Sequence, residues 1–405
     1  MTRGADGELV TDLGPARVLV TTATVCTACV LPAFLIGATA VQLRDDLGLS
    51  ASGTGVAVGA FFAAASLAST PLGRLSERHG PVPSLRAAAA ITATCQLGLA
   101  ALARSLPLLL AFLVVGGTAN ALAQPAANLL LARHLPVRRQ GLGFAIKQAA
   151  IPTATLLSGL AVPTIALTVG WRWAFVASAA LATVSIATVP NARRTSAVRA
   201  ARRSRDRTDD MPLPVMLWLA VGIALGAASA GTLGAFFVSA GVDAGLPEGT
   251  AGLVLATGSA LGIVTRLAAG VQADRRGVGH LRVVALMLAA GAVIYCLLAT
   301  ETTWAFVGAG PLAFATGWAW PGLFNLAVVR VNPNAPAAAT GITQTGTYFG
   351  AVVGPVLFGF VAEHLSFRAA WLGAAAIASL AAMTIVGARR RVRAWRDGTG
   401  GSPVH

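Results

Sequence analysis

From residue 17 onward the chain alternates between long apolar stretches and short polar islands. Twelve stretches are long enough to be membrane-crossing helices: roughly 17–40, 50–72, 83–103, 107–131, 141–166, 172–190, 212–239, 250–269, 281–299, 303–330, 336–362 and 367–387. A helix needs about 20 apolar residues to cross a bilayer. Within lipid it must satisfy its backbone hydrogen bonds internally. The pattern therefore predicts an all-α polytopic membrane protein with twelve transmembrane helices. The opening segment, MTRGADGELVTDLGP, is polar and has no small-residue cleavage site ahead of an ordinary domain, so it is not read as a cleaved leader.

Composition supports the pattern. Hydrophobic residues are 56% of the chain, charged residues 11%, and mean hydropathy is +0.72. Soluble domains carry about a quarter charged residues, so a soluble fold is excluded. The net charge of +15 raises nucleic acid as a partner, but the placement of the arginines argues against it. They fall in alternate loops: Arg74, Arg78 and Arg86; Arg133, Arg138 and Arg139; seven between 191 and 210; Arg275, Arg276 and Arg282; Arg330; and Arg389, Arg390, Arg391, Arg393 and Arg396. The opposite loops hold Arg44, Arg104, Arg172 and Arg368. This is the positive-inside asymmetry. It predicts a multi-pass protein of the cytoplasmic (inner) cell membrane with both termini cytoplasmic. The basic linker and tail are expected to lie against anionic lipid headgroups.

Metal and nucleophile chemistry find no support. Cys26, Cys29, Cys95 and Cys296 all lie in apolar stretches, as small core residues do. His79, His134, His280, His364 and His405 lie in loops or the tail, so no ligand cluster can be assembled. No phosphate-cradling loop is present. The sequence predicts no cofactor, no metal and no enzyme.

The chain also repeats itself. GRLSERHG at 73–80 returns as GVQADRRGVG from 270, pairing Gly73, Glu77, Arg78 and Gly80 with Gly270, Asp274, Arg275 and Gly277 at an offset of 197. WRWAF at 171–175 returns as FRAAW at 367–371. Gln124-Pro125 aligns with Trp320-Pro321, and Lys147-Gln148 with Thr343-Gln344, at an offset of 196. Ordered matches at nearly one offset mark a duplicated unit. The predicted organisation is an N-terminal segment (1–16), a six-helix bundle (17–190), an Arg-rich linker (191–211), a second, pseudo-symmetric six-helix bundle (212–387) and a basic tail (388–405).

These features resemble the major facilitator superfamily of secondary transporters. The resemblance covers the whole chain. It rests on the twelve spans, the 6+6 repeat, the basic central loop and the loop between the second and third spans. The family motif there reads G-x-L-x-D-R-x-G-R-R/K. Gly73, Leu75, Arg78 and Gly80 match it, Glu77 replaces the aspartate, and Pro81 and Val82 replace the basic pair. The resemblance implies alternating access without ATP. It implies gating or conformational roles for Gly73, Glu77, Arg78, Gly80, Gly270, Asp274, Arg275 and Gly277, with a purely structural corner as the alternative. In helix 11, Gly350, Gly354 and Pro355 are expected to be moving parts, since spaced glycines allow close helix approach and proline invites a kink.

Repeat-built transporters place substrate near the midplane between their halves. Polar residues that lipid would not tolerate mark the expected cavity. Asn120, Gln124 and Asn128 share a face of helix 4 at spacing four; helix 10 contributes Trp318, Trp320 and Asn325; helix 11 contributes Gln344 and Tyr348. Hydrogen bonding within each half is the competing role for the amides and hydroxyls.

Lys147 is the single lysine among 30 basic residues, the other 29 being arginines and nearly all in loops. It lies inside an apolar run, GFAIKQAAIPT, beside Gln148. A charge inside the membrane is a functional-site candidate by default. Three roles are open to it: anchoring an anion, snorkelling to the surface and proton coupling. Asp and Glu are absent from the middle of every span, so an anion is the counter-charge this cavity lacks. The preferred reading is a transporter of a small organic anion such as a carboxylate, coupled to protons or to a counter-transported anion, and monomeric. Efflux of drugs or secondary metabolites is the alternative, and a non-transporting sensor or scaffold the remote one.

Overall fold

The computed structural model describes residues 14–189, 211–276, 279–332 and 336–398, and of 137–142, 274–276, 336–338 and 396–398 the backbone alone. Among these residues the chain is a sequence of long helices. In the first half they are α1 (Pro15–Ala38), α2 (Ala51–His79), α3 (Pro81–Leu102), α4 (Leu106–His134), α5 and α6 (Trp171–Thr188). Here α5 comprises the consecutive pieces Val137–Gln148, Ala150–Ala161, Val162–Ala166 and Leu167–Val169. In the second half they are α7 (Leu213–Asp243), α8 (Glu248–Arg276), α9 (His280–Leu298), α10, α11 (Pro336–His364) and α12 (Phe367–Gly398). The pieces of α10 are Ala305–Ala309, Gly310–Thr316 and Pro321–Val331.

Eleven of these are long and apolar enough to cross a membrane. The twelfth, α6, opens with Trp171, Arg172 and Trp173, which dilute an otherwise apolar 18-residue helix. Twelve crossings put the start of α1 and the end of α12 on one face, called here the terminal face.

The joints follow local chemistry. Ser50 caps α2 by accepting from Gly53 N at 3.1 Å, satisfying a donor that a helix start leaves orphaned. Gly80 alone links α2 to α3, at φ +91°, before Pro81 opens the next helix. That backbone conformation favours glycine, and it gives a one-residue corner between neighbouring antiparallel helices. Glu77 and Arg78 beside it are exposed and make no ion pair among the described residues. The side chains of Asp274 and Arg275, and Gly277 itself, lie outside the described residues. So do the linker and most of the opening segment.

One boundary differs from the sequence reading. The basic stretch from 388 continues α12 to Gly398, because nothing before that glycine breaks a helix. Its Arg391 guanidinium lies 4.0 Å over the Trp218 ring near the start of α7, a cation–π contact that holds the extension to the second half.

Each bundle packs through small residues and aromatics, the route open to helices in lipid. In the second half Tyr295 stacks on Trp371 (5.9 Å between centroids), and Phe237 meets Phe306 and Phe314 edge-on. In the first half the WRWAF stretch is explained by one acid. Asp46 accepts from Trp171 Nε1 (2.9 Å) and Arg172 Nη1 (2.7 Å), and Arg172 Nη2 reaches the Ala103 carbonyl. These hydrogen bonds, the tryptophan's first, lower the Asp46 pKa below the usual carboxylate value. A depressed folded-state pKa stabilises above the unfolded value, and the gain is lost as pH falls through the folded one. Asp46→Asn should therefore lower the unfolding midpoint slightly at neutral pH, by the roughly 0.2–1 kcal/mol of an exposed pair. Melting curves from pH 7 to 3 should show wild type and variant converging.

Candidate substrate site between the halves

The halves meet chiefly through three helix pairs: α1 with α7, α2 with α11, and α5 with α8. All three are tightest on the face opposite the termini. A methyl group built at Gly37 would collide with the Gly234 and Ala235 backbone, one at Gly55 with the Pro355 carbonyl, and one at Gly159 with the Gly252 carbonyl. Phe34 of α1 packs on Trp318 of α10 at 5.6 Å. Glu363 at the end of α11 accepts from Ser52 N at 2.7 Å, capping the start of α2 across the halves.

Towards the terminal face the same helix faces part. On α11, Val356, Val352, Phe349 and Thr345 share one side by helical spacing. Val352 and Val356 meet Gly59 of α2, whereas Phe349 is 64% exposed and Thr345 is exposed. Thr70, on the α2 side that carries Gly55 and Gly59, is exposed too. The halves are thus sealed at one face and splayed at the other.

Prolines break two helices where this splay begins. Pro152 has no N–H, so the carbonyl four residues back, Gln148, loses its helical donor, and α5 is interrupted at Ala149. Pro321 does the same to the Gly317 carbonyl, which Trp320 Nε1 recovers at 2.8 Å, and α10 is interrupted over 317–320. Arg266 of α8 fills the remaining vacancies. Its Nη1 donates to Gln148 O (3.1 Å) and its Nη2 to Trp318 O (2.5 Å), so one guanidinium links a break in each half. Its Nε is buried without a partner among the described residues.

Lys147 sits next to that contact. It is 9% exposed, has no hydrogen-bond partner among the described residues, and lies within electrostatic reach of Cys26 on α1. Cys26 shares a face of α1 with Val30 and Gly37, the face that meets α7. A snorkelling lysine carries its ammonium to the membrane surface, whereas Lys147 is largely buried as a residue and starts about 15 Å from the beginning of α5. Lys147 lies ten residues from the start of α5 and Arg266 ten from the end of α8, about 15 Å in each case. The two cations therefore share one depth, one on each half.

The other candidate residues divide. Gln148 is half-buried and offers its carbonyl to Arg266. On α4, Asn128 is exposed and Gln124 half-buried, but Asn120 is 3% exposed and accepts from Gln124 Nε2 at 3.2 Å. Asn325 and Tyr348 are half-buried and Gln344 exposed. Trp318 belongs to the seal. Trp320 is 1% exposed inside the second half, against Phe324 and Gly226. Its indole is committed to the Gly317 carbonyl, so it shapes the helix break and does not line a cavity. Gly350 and Gly354 face the α7 carbonyls of Ala224 and Ala228, within one half. They fix α11 to α7, and it is Pro355 that meets the other half, at Gly55. Arg266 was missed in the sequence although it stands in the apolar run LGIVTRLAAG. An arginine flanked by apolar residues in a predicted span was the available signal.

The model of the Major Facilitator Superfamily matches residues 18–277 and 217–403. The chain belongs to this superfamily. It is a multi-pass membrane transporter and not an enzyme. Among solved structures, a bacterial homologue of the human lysosomal transporter Spinster, captured inward-facing and occupied, is similar at 16% identity and TM-score 0.74. That match covers 93% of this chain and 97% of the other. A D-xylose–proton symporter (16%, TM-score 0.73, 91% and 97%) and the nucleoside transporter NupG (14%, TM-score 0.71, 92% and 99%) share the fold. No curated protein matches the sequence. Within the superfamily fold the Glu363–Ser52 contact joins the halves at the sealed face. Glu363→Gln keeps an acceptor but removes the charge that favours a helix N-terminus. Spin labels at Asp45→Cys and His364→Cys should then report a larger share of long distances across that face, and an unchanged distribution would make the contact incidental.

Proposed function

We propose that this protein is a secondary active transporter of a small organic anion, such as a carboxylate, working by alternating access between its two halves. The observation that carries the reading is Lys147: a buried cation beside the seam between the halves, with no carboxylate facing it among the described residues. An uncompensated charge in the membrane interior is destabilising, and an anionic substrate supplies the missing partner. In this reading Gln148, Gln124, Asn128, Asn325, Gln344 and Tyr348 shape the space around it. Motif residues Gly73, Glu77, Arg78, Gly80, Gly270, Asp274, Arg275 and Gly277 act in conformational coupling.

The arginine distribution orients the protein with both termini in the cytoplasm of the inner cell membrane. The conformation described above is then inward-facing. The protein works as a monomer, with protons or a counter-transported anion as the driving partner and anionic headgroups around its basic segments.

The test is thermal unfolding in detergent against two panels, small carboxylates and cationic or neutral drugs, for wild type and Lys147→Gln. Ligand that binds only the folded state raises the midpoint by mass action. Carboxylates should stabilise wild type and not the variant. Equal stabilisation of both proteins by drugs would replace this reading with efflux.

A further inference from the structure

Resting on the anion reading of Lys147, we infer that Arg266 is a second anion anchor and that the substrate is a small dianion carrying two acidic groups, such as a dicarboxylate. The two cations stand at one depth on facing helices of opposite halves, joined through Gln148: Lys147 is its neighbour in sequence and Arg266 is bonded to its carbonyl. The only ion pair among the described residues is Arg172–Asp46, on the far face, so neither cation has a carboxylate within reach. A monoanion would leave one positive charge uncompensated in the membrane interior. A dianion neutralises both.

The guanidinium is prepared for this role. A planar fork offers five donors, and two carbonyls freed by helix breaks engage one N–H on each Nη while Nε remains unpartnered and buried. The carbonyls hold the arginine in position without neutralising it, because they are dipoles and not charges. An acidic group can bind the remaining donors while both carbonyl bonds persist. With one anchor in each half, a substrate with two acidic groups ties the halves together at the site. A substrate with one engages a single half. The geometry thus makes Arg266 a specificity-determining residue and gives the substrate a part in bringing the two halves together.

The experiment compares malonate, succinate and glutarate, each against its monomethyl ester, by thermal unfolding of the full-length protein in detergent. Each pair differs by one charge and little in size. For wild type, at least one diacid should bind at least tenfold tighter than its ester. Arg266→Gln should bind that diacid and its ester equally, at the wild-type ester's level. Arg266→Lys, which keeps the charge but cannot span both carbonyls, should keep a preference for the diacid. Lys147→Gln should bind neither form. Equal binding of diacids and esters by wild type, both lost in Lys147→Gln, would leave the anion reading standing and overturn the dianion inference. A preference for the diacid that survives in Arg266→Gln would likewise overturn it. No response of wild type to any of the six compounds would defeat both readings. Should Arg266→Gln fail to fold, the wild-type pairs and Arg266→Lys decide the matter alone.

Discussion

Replacing Lys147 with alanine is expected to lower carboxylate uptake into proteoliposomes by about thirtyfold or more. Removing one partner of a buried hydrogen-bonded charge pair costs about 2–5 kcal/mol, and each 1.4 kcal/mol is a factor of ten in affinity. The loss should appear in KM first, because the ammonium binds the anion in the ground state and the chemistry of the substrate does not change. Lys147→Arg separates charge from shape. Arginine keeps the positive charge but is a planar fork where lysine is a compact point, and the site beside Cys26 is closely packed. That variant should recover part of the uptake and no more. Uptake that survives Lys147→Ala unchanged would reduce the lysine to a packing residue.

The second large effect is expected at Gly55. Its α-carbon faces the Pro355 carbonyl of the other half so closely that even a methyl group would overlap backbone. Backbone cannot rotate out of the way as a side chain does, so Gly55→Leu must push α2 and α11 apart at the sealed face. Overpacking costs about 1–3 kcal/mol or more. An equilibrium between two states shifts by about five- to 150-fold for that difference. Spin-label distances across the sealed face should lengthen, and transport should fall because one of the two states can no longer close. Gly350→Ala is the control. It produces an equally severe overlap, but with the Ala224 carbonyl inside the second half. It should lower thermal stability while leaving the distribution of distances between the halves where it was. The same shift in both variants would mean that the two seams are not mechanically separate.

The contrast between Gly55 and Gly350 shows why the candidate site was only partly legible in the sequence. A glycine stripe at spacing four announces close helix approach but not which helix approaches. Gly350 and Gly354 read as joints and pack within a half; Gly55 and Gly59, at the same spacing, lie on the seam. Trp320 and Trp318 are two residues apart with the same chemistry. One fills the core of a half and the other seals the gap between halves, because α10 breaks between Gly317 and Pro321 and turns them apart. The Trp-Pro pair pointed to the break in α10, whereas its repeat partner Gln124-Pro125 lies in an unbroken α4. The effect of Pro152 on the Gln148 carbonyl could be stated from sequence, but its donor could not.

The class of protein and its all-helical membrane fold were legible in the sequence. Twelve apolar stretches, the asymmetry of arginines between alternate loops and the internal repeat leave one architecture, since lipid tolerates few backbone solutions and the duplicated order constrains the rest. It also exposed Lys147, because a lone charge in an apolar run contradicts its surroundings locally. What Lys147 stands beside, that Arg266 joins it at the same depth from the other half, and which face is sealed emerge from the packing of the helices alone. Those properties depend on which helices meet and how far apart their faces stand. Hydrophobic periodicity records that a face is buried, and does not record against what.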